Sequence, residues 1–167
     1  MHISNHMQSK ECIFLGPMEN NLPSDSDAAR SVRILFIEGC ETSAAPVVAS
    51  LEASDRAVFR VSRVAGVPDA KRSCMSQTYD LVLVGNPLED PQALEPIRAL
   101  AAQIATVPLV LLADLPSAPL AHHAVLKGTA QDYLVKGHLD GAILEQALLY
   151  AIERHRMLAN LKRRRRE

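Results

Sequence analysis

The sequence has little of what marks several common protein classes. Its 167 residues include no tryptophan, three cysteines and 4% aromatic residues. The cysteines are odd in number and form no CxxC pair, which argues against a disulfide framework or a structural zinc site and favours a reducing cytoplasm. No run approaches the ~18–20 apolar residues of a membrane span. No basic, apolar and small-residue order typical of a secretion signal is recognisable near residue 1.

Charge is nearly balanced overall but unevenly distributed. The net charge is −1, yet residues 153–167 carry seven basic and two acidic side chains, a local charge of +5. The other 152 residues therefore carry −6. A nucleic-acid-binding protein is more often basic across its folded face, so the body does not favour that class. The basic tail is still suited to weak contact with nucleic acid or another acidic surface.

Residues 1–31 differ in composition from the rest of the chain. They are rich in Ser, Asn, Asp and Pro, and they hold one short apolar run, Cys12-Ile13-Phe14-Leu15. This composition predicts a mostly disordered leader. The alternative for the apolar run is a short strand or a small docking motif.

Short apolar runs alternate with helical patterns from residue 32 onward. Four runs are mostly apolar and do not alternate, as in strands covered on both faces of a parallel sheet: 32–37, 79–84, 107–112 and 132–135. A fifth run, 57–64, alternates and suits an edge strand. Helices are predicted from a cap at Thr42-Ser43 to about residue 54, over about 66–77, 95–105 and 118–127, and from about residue 139. The pattern predicts a doubly wound α/β domain with a five-stranded parallel sheet. The working site of such folds lies at the carboxyl ends of the strands.

One block near the C-terminus resembles a known family. Residues 130–137 (AQDYLVKG), 139–141 (LDG) and 147–154 (ALLYAIER) are similar to the end of a response-regulator receiver domain. The resemblance extends over residues 32–155, and it implies a (βα)5 fold in the flavodoxin-like strand order. It also implies a last helix that runs on beyond the domain, here over residues 156–167.

The resemblance implies a particular chemistry. A working receiver is phosphorylated on an Asp after its third strand, with Mg²⁺ bound by two acidic residues after the first strand. A hydroxyl after the fourth strand and a Lys after the fifth contact the phosphoryl group. Mg²⁺ requires hard oxygen ligands and offsets charge repulsion on the phosphoryl group, while the Lys stabilises its anionic oxygens.

This sequence departs from that set at three of five positions. Gly85 stands at the acceptor position, Gly39 at the second acidic position and Ala113 at the hydroxyl position, whereas Glu38 and Lys136 match. We therefore interpret the chain as a degenerate receiver, or pseudo-receiver. It is expected to have no catalytic residue, no enzymatic activity and lost or weak Mg²⁺ binding.

Several alternatives remain open from the sequence. Asp90 or Asp114 can act as a displaced phosphoryl acceptor, or can simply cap a helix or face solvent. Lys136 and Glu38 can pair across the vacant pocket, or Lys136 can reach solvent. Tyr133 matches the family's aromatic switch position but also suits an ordinary half-buried aromatic. The vacated pocket can alternatively hold a small ligand.

The sequence contains no DNA-binding helix-turn-helix and no cyclase, phosphodiesterase or kinase signature, so we expect action through protein contacts. The expected function is a phosphorylation-independent signalling adaptor in a two-component pathway, with a sensor kinase or another regulator as partner. Apolar residues keep a 4-3-4-3 spacing through Leu158, which favours a homodimer through the last helix, although basic residues there also suit a helix end. The predicted contact residues are His122, Tyr150, Met157, Leu158, Leu161, Arg163 and Arg164.

Overall fold

A computed structural model describes residues 30–85 and 90–167 of this chain. Of the predicted leader, only Arg30 and Ser31 fall inside this part, so the prediction for residues 1–29 lies outside the described residues.

Five strands form one parallel sheet in the order β2-β1-β3-β4-β5, the flavodoxin-like order. The strands are β1 (Ser31–Ile37), β2 (Val58–Val64), β3 (Leu81–Val84), β4 (Leu109–Ala113) and β5 (Asp132–Val135). The helices are α1 (Glu41–Glu52), α2 (Val67–Ser76), α3 (Leu94–Gln103), α4 (Ala118–Leu126) and α5 (Gly141–Arg164).

The predicted α/β fold is confirmed, with small differences at element ends. β3 begins at Leu81 and not at residue 79, and β4 runs over Leu109–Ala113 and not over 107–112. The predicted cap of the first helix at Thr42-Ser43 is wrong, because Cys40 is the N-cap residue and the helix begins at Glu41. The Glu38 carboxylate accepts a hydrogen bond from the Cys40 amide at 3.0 Å, which fixes the turn that starts the helix earlier.

Each face of the sheet is covered by helices. Successive residues of β1 alternate between the two sides: Ile34 packs with α1 and α5, whereas Leu35 packs with α2, α3 and α4. This alternation follows from the two-residue period of a strand. Because both faces are buried, β1, β3 and β4 are apolar over most of their length.

The last helix leaves the domain core partway along its length. Its apolar stripe is buried at Leu144, Leu148 and Ala151, while Leu158 is half exposed. The first part of the 4-3-4-3 spacing is therefore explained by packing on the sheet. Its last part lies on an exposed continuation of the helix. Arg156 pairs with Asp80 at 3.4 Å and holds this region against the residues that precede β3. Within residues 30–85 and 90–167, no helix is long and apolar enough to cross a membrane.

Candidate functional site

Four strand ends meet at one edge of the sheet. The parallel register pairs Ile37 with Val84, Val84 with Leu111, and Ala113 with Val135. The residues that follow these strands are therefore neighbours in space, although they lie far apart in the chain. They are Glu38, Gly85, Asp114 and Lys136.

Glu38 is a buried carboxylate whose two oxygens are both engaged. Its side chain is 3% exposed. Oε1 accepts the Cys40 amide at 3.0 Å, and Oε2 lies 3.4 Å from the Lys136 ammonium. The Glu38 amide donates to the Val64 carbonyl at 3.0 Å, so its backbone is fixed to the end of β2. Charged groups are rarely buried without a partner, and here the partner is Lys136.

Lys136 reaches across the strand ends and closes the site. Its ammonium donates to the Gly85 carbonyl at 3.0 Å and to Glu38 at 3.4 Å, and it lies 3.8 Å from Asp114. Its side chain is 24% exposed, whereas that of Asp114 is 51% exposed. The pairing of Lys136 with Glu38, which the sequence left open, is therefore present, and solvent is not its main partner.

Gly85 has no room for a side chain at the predicted acceptor position. A Cβ atom at Gly85 lies 2.7 Å from Cε2 of Phe36 and 2.8 Å from Oε2 of Glu38. Contacts this short require one of these groups to move, and the Phe36 ring is fully buried. The site is thus filled by a core aromatic ring on one side and by an ion pair on the other. This role of Phe36 was not predictable from the sequence, because a buried strand residue has no distinguishing local pattern.

The sequence also departs from the receiver set at Ala113 and Gly39, which occupy a buried strand position and an exposed loop position. Ala113 is the last residue of β4 and is 2% exposed, while Gly39 is exposed between Glu38 and Cys40. In the described part of the chain, no group of three or more His, Cys, Asp or Glu side chains is placed to bind a metal ion. Mg²⁺ relies on several hard oxygen ligands. A cation entering here has to compete with Lys136 for Glu38.

Of the two suggested substitute acceptors, Asp114 is the one near the site. Asp90 caps the short turn before α3, where its Oδ1 accepts the Ala93 amide at 3.0 Å. Asp114 faces the Lys136 ammonium at ion-pair distance and is half exposed. The geometry therefore leaves Asp114, and not Asp90, as the carboxylate next to Lys136 that is open to solvent.

A cavity of about 250 Å³ adjoins the closed site between α1 and α5. Its apolar wall includes Val47, Leu112 and Leu144, and Lys136 lies at its margin. The first turn of α1 contributes hydroxyl groups from Thr42 and Ser43. This cavity is distinct from the acceptor position, which Phe36 and Glu38 occupy.

Cys40 has a thiol whose pKa is perturbed by its neighbours. It is exposed, and its sulfur lies 3.0 Å from the Thr42 hydroxyl. Hydrogen bonds, first from the Thr42 side chain and then from the Ser43 amide, lower the pKa of the Cys40 thiol to about 7. By contrast, burial raises the pKa of Cys74. The available signal was a cysteine two residues before the predicted helix cap, because the start of a helix stabilises a thiolate.

The predicted contact residues lie on α4 and α5. Tyr133 is half buried, and His122 packs edge-on against it with ring centroids 5.8 Å apart. Tyr150 is 62% exposed and lies 5.6 Å below the Arg154 guanidinium. The packing of Tyr133 against His122 suits an ordinary half-buried aromatic residue as well as the aromatic switch of the receiver family.

The extension of α5 beyond the core is exposed. Met157, Leu158 and Leu161 are 58%, 49% and 57% exposed. Among the described residues, five of the nine large hydrophobic side chains that are exposed lie on α5, so this helix carries most of the apolar surface. Arg163 and Arg164 belong to its last turn, and Arg163 contacts Glu167 at 4.0 Å.

Several solved structures share this fold. A receiver domain of a sensor histidine kinase from Pseudomonas aeruginosa PAO1, with a magnesium ion in its active-site cleft, is 26% identical, with a TM-score of 0.59 over 74% of this chain and 98% of that chain. A response-regulator receiver domain protein from Clostridium thermocellum is 20% identical, with a TM-score of 0.62 over 76% and 98%. An adenylate cyclase from Rhodopirellula baltica is 15% identical, with a TM-score of 0.63 over 82% and 98%.

No protein-family model and no curated protein sequence matches this chain. The comparison therefore rests on the solved structures, and the matched region covers 98% of each of the two receiver-domain chains. The chain has the receiver-domain fold, as the sequence resemblance implied.

Proposed function

We propose that this chain is a degenerate receiver that acts as a phosphorylation-independent signalling adaptor in a two-component pathway. Its partners are a sensor kinase or another regulator, reached through protein contacts and not through catalysis. The observation that carries the proposal is the internal use of Lys136, whose ammonium is held by Glu38 and the Gly85 carbonyl. In a phosphorylated receiver, this lysine is the group that stabilises the phosphoryl oxygens.

The surroundings of Gly85 support the same conclusion. The position offers no nucleophile, and the space for one is taken by Phe36 and Glu38. Both oxygens of Glu38 already accept hydrogen bonds, so Mg²⁺ has to compete with Lys136 and the Cys40 amide for this carboxylate. We therefore expect weak Mg²⁺ binding at most.

The exposed surface supports action by contact. Tyr150 and the apolar residues of the α5 extension are exposed together with basic side chains. Exposed aromatic and arginine residues are enriched at protein interfaces. A homodimer through α5 and a partner protein on the α4, β5 and α5 side are both compatible with this surface.

The proposal is tested by intact-mass spectrometry after incubation with acetyl phosphate and Mg²⁺. We expect no adduct of about 80 Da, the mass of one phosphoryl group. A receiver domain with the full acceptor set, treated in the same tube, shows that the donor works. A stoichiometric adduct that is lost in mild base contradicts the proposal.

The Asp114→Asn variant extends this test to the substitute acceptor. Asp114 is the exposed carboxylate 3.8 Å from Lys136, so it is the acceptor to examine if an adduct forms. An adduct that disappears in the Asp114→Asn variant replaces the adaptor with a single-domain regulator that uses an unusual acceptor. An adduct that persists in this variant places the phosphoryl group elsewhere.

The cavity between α1 and α5 supports a second candidate function, that of a small-ligand sensor. Its volume of about 250 Å³ is near the lower end of ligand pockets, and its wall is mostly apolar with Lys136 at the margin. The Val47→Trp variant fills this space. A compound that raises the melting temperature of the wild type but not of this variant identifies the cavity as its site.

A further inference from the structure

A groove of about 460 Å³ runs beneath the amino ends of β4 and β5, at the edge opposite the closed site. Ala101 of α3 and Ala105, two residues after this helix, form one wall, and Leu158 with Lys162 of α5 forms the other. Val107 and Leu109 belong to its apolar lining. The groove exists because α5 continues past the sheet, so its outer wall belongs to the helix extension.

The chain enters the domain at the same edge. Arg30 precedes β1 and pairs with Glu153 of α5 at 3.7 Å, close to the groove-lining part of that helix. β1 and β4 are separated only by β3, which corresponds to about 10 Å at the usual strand spacing. Arg30, where the described part of the chain begins, therefore lies near the groove.

The segment between the apolar run and Arg30 is long enough to reach the groove. The apolar run at residues 12–15 is separated from Arg30 by fourteen residues. A coil of this length has a root-mean-square span of about 20 Å. Because this span exceeds the roughly 10 Å between β1 and β4, the run can reach the groove, and its local concentration there is on the order of millimolar.

Charge also favours this occupant over a second copy of the helix. Residues 1–29 contain one lysine and four carboxylates, a side-chain charge of −3. Residues 162–166, beside the groove, are five consecutive basic residues. Two α5 extensions packed side by side bring these like charges together, whereas the acidic segment offsets them.

We propose that Ile13, Phe14 and Leu15 of this chain's own N-terminal segment occupy the groove between α3 and the α5 extension. Their side chains cover the apolar lining, and Glu19, Asp25 and Asp27 run beside the basic end of α5. The segment then covers part of the surface on α5 that a partner needs. This inference does not depend on the proposed function, because the contact is within one chain.

Disulfide trapping in the full chain tests the contact. Cys12 adjoins the apolar run and becomes the only native thiol after Cys40→Ser and Cys74→Ala. One variant adds Leu158→Cys inside the groove, and its matched control adds Met157→Cys, which does not line the groove and lies one residue away. With oxidised glutathione as oxidant, we expect the groove position to bridge to Cys12 at least about tenfold faster.

Two further variants make the test independent of one position. Ala105→Cys probes the opposite wall, with the exposed Ala102→Cys as its control. Adding Ile13→Ser and Phe14→Ser is expected to remove the preference for the groove positions. Equal rates at groove and control positions overturn the proposal. So does a product that is mainly a disulfide-linked dimer forming faster at higher protein concentration, because the occupant is then a second copy.

Discussion

Substitution of Gly85 is expected to destabilise the protein in a way that reports directly on how the site is filled. In Gly85→Ala, the added Cβ lies 2.7 Å from the Phe36 ring and 2.8 Å from the Glu38 carboxylate. Overpacking of this kind costs about 1–3 kcal/mol. Reduced freedom of the unfolded chain offsets about 0.4–1 kcal/mol of this. We expect a net loss of about 1–2 kcal/mol, or about 3–6 °C in melting temperature.

The matched control is Gly137→Ala, next to Lys136, where an added Cβ meets nothing within 4 Å. It is expected to change the free energy of unfolding by no more than about 0.5 kcal/mol. Urea unfolding followed by circular dichroism measures both variants. In the double variant Phe36→Leu/Gly85→Ala, the total loss is expected to be smaller than the sum of the single losses by at least about 0.5 kcal/mol. If Gly85→Ala is as stable as Gly137→Ala, the reasoning about this site is wrong.

Three further outcomes follow from the structure. A double-mutant cycle with Glu38→Gln and Lys136→Met, measured by urea unfolding, should give a coupling energy of about 1–2 kcal/mol. Each single change leaves the other member of the ion pair without its partner in a site that is mostly buried. Additive losses of stability would contradict the ion pair. Iodoacetamide should alkylate Cys40 with a midpoint near pH 7, and Thr42→Val should move this midpoint upward; an unmoved midpoint rejects the hydroxyl as the cause. Deletion of residues 157–167 should lower any self-association seen in sedimentation, because it removes the exposed apolar residues of the α5 extension; unchanged association moves the contact away from the extension.

The sheet was predictable because its central strands, β1, β3 and β4, are buried on both faces and are therefore mostly apolar. The bounds of β5 follow directly from the run Asp132 to Val135, and the alternating run at 57–64 correctly indicated an edge strand. The start of α1 was not predictable from capping preferences. It depends on the contact between Glu38 and the Cys40 amide, and Cys40 is a poor match to the usual capping residues.

The positions of Glu38, Gly85 and Lys136 in the site were predictable, but the contacts that fill it were not. The register of parallel strands brings Glu38 and Lys136 together although they are 98 residues apart, and the family resemblance identified both positions. The approach of the Phe36 ring to Gly85 depends on side-chain packing across β1 and β3. Residue type and spacing carry no information about that contact. The same holds for the groove, which exists only where the α5 extension passes the amino ends of the strands.

The closed state of the site is tested most directly by nuclear magnetic resonance of the ¹⁵N-labelled protein with Mg²⁺ and beryllofluoride, a mimic of a phosphoryl group on a carboxylate. The amides to follow are those of Gly85, Ala113, Asp114 and Lys136, which surround the strand ends. We expect none of them to shift beyond a control with matched ionic strength, because Lys136 stays bound to Glu38 and the Gly85 carbonyl. A saturable shift at these amides that requires both reagents together contradicts the account.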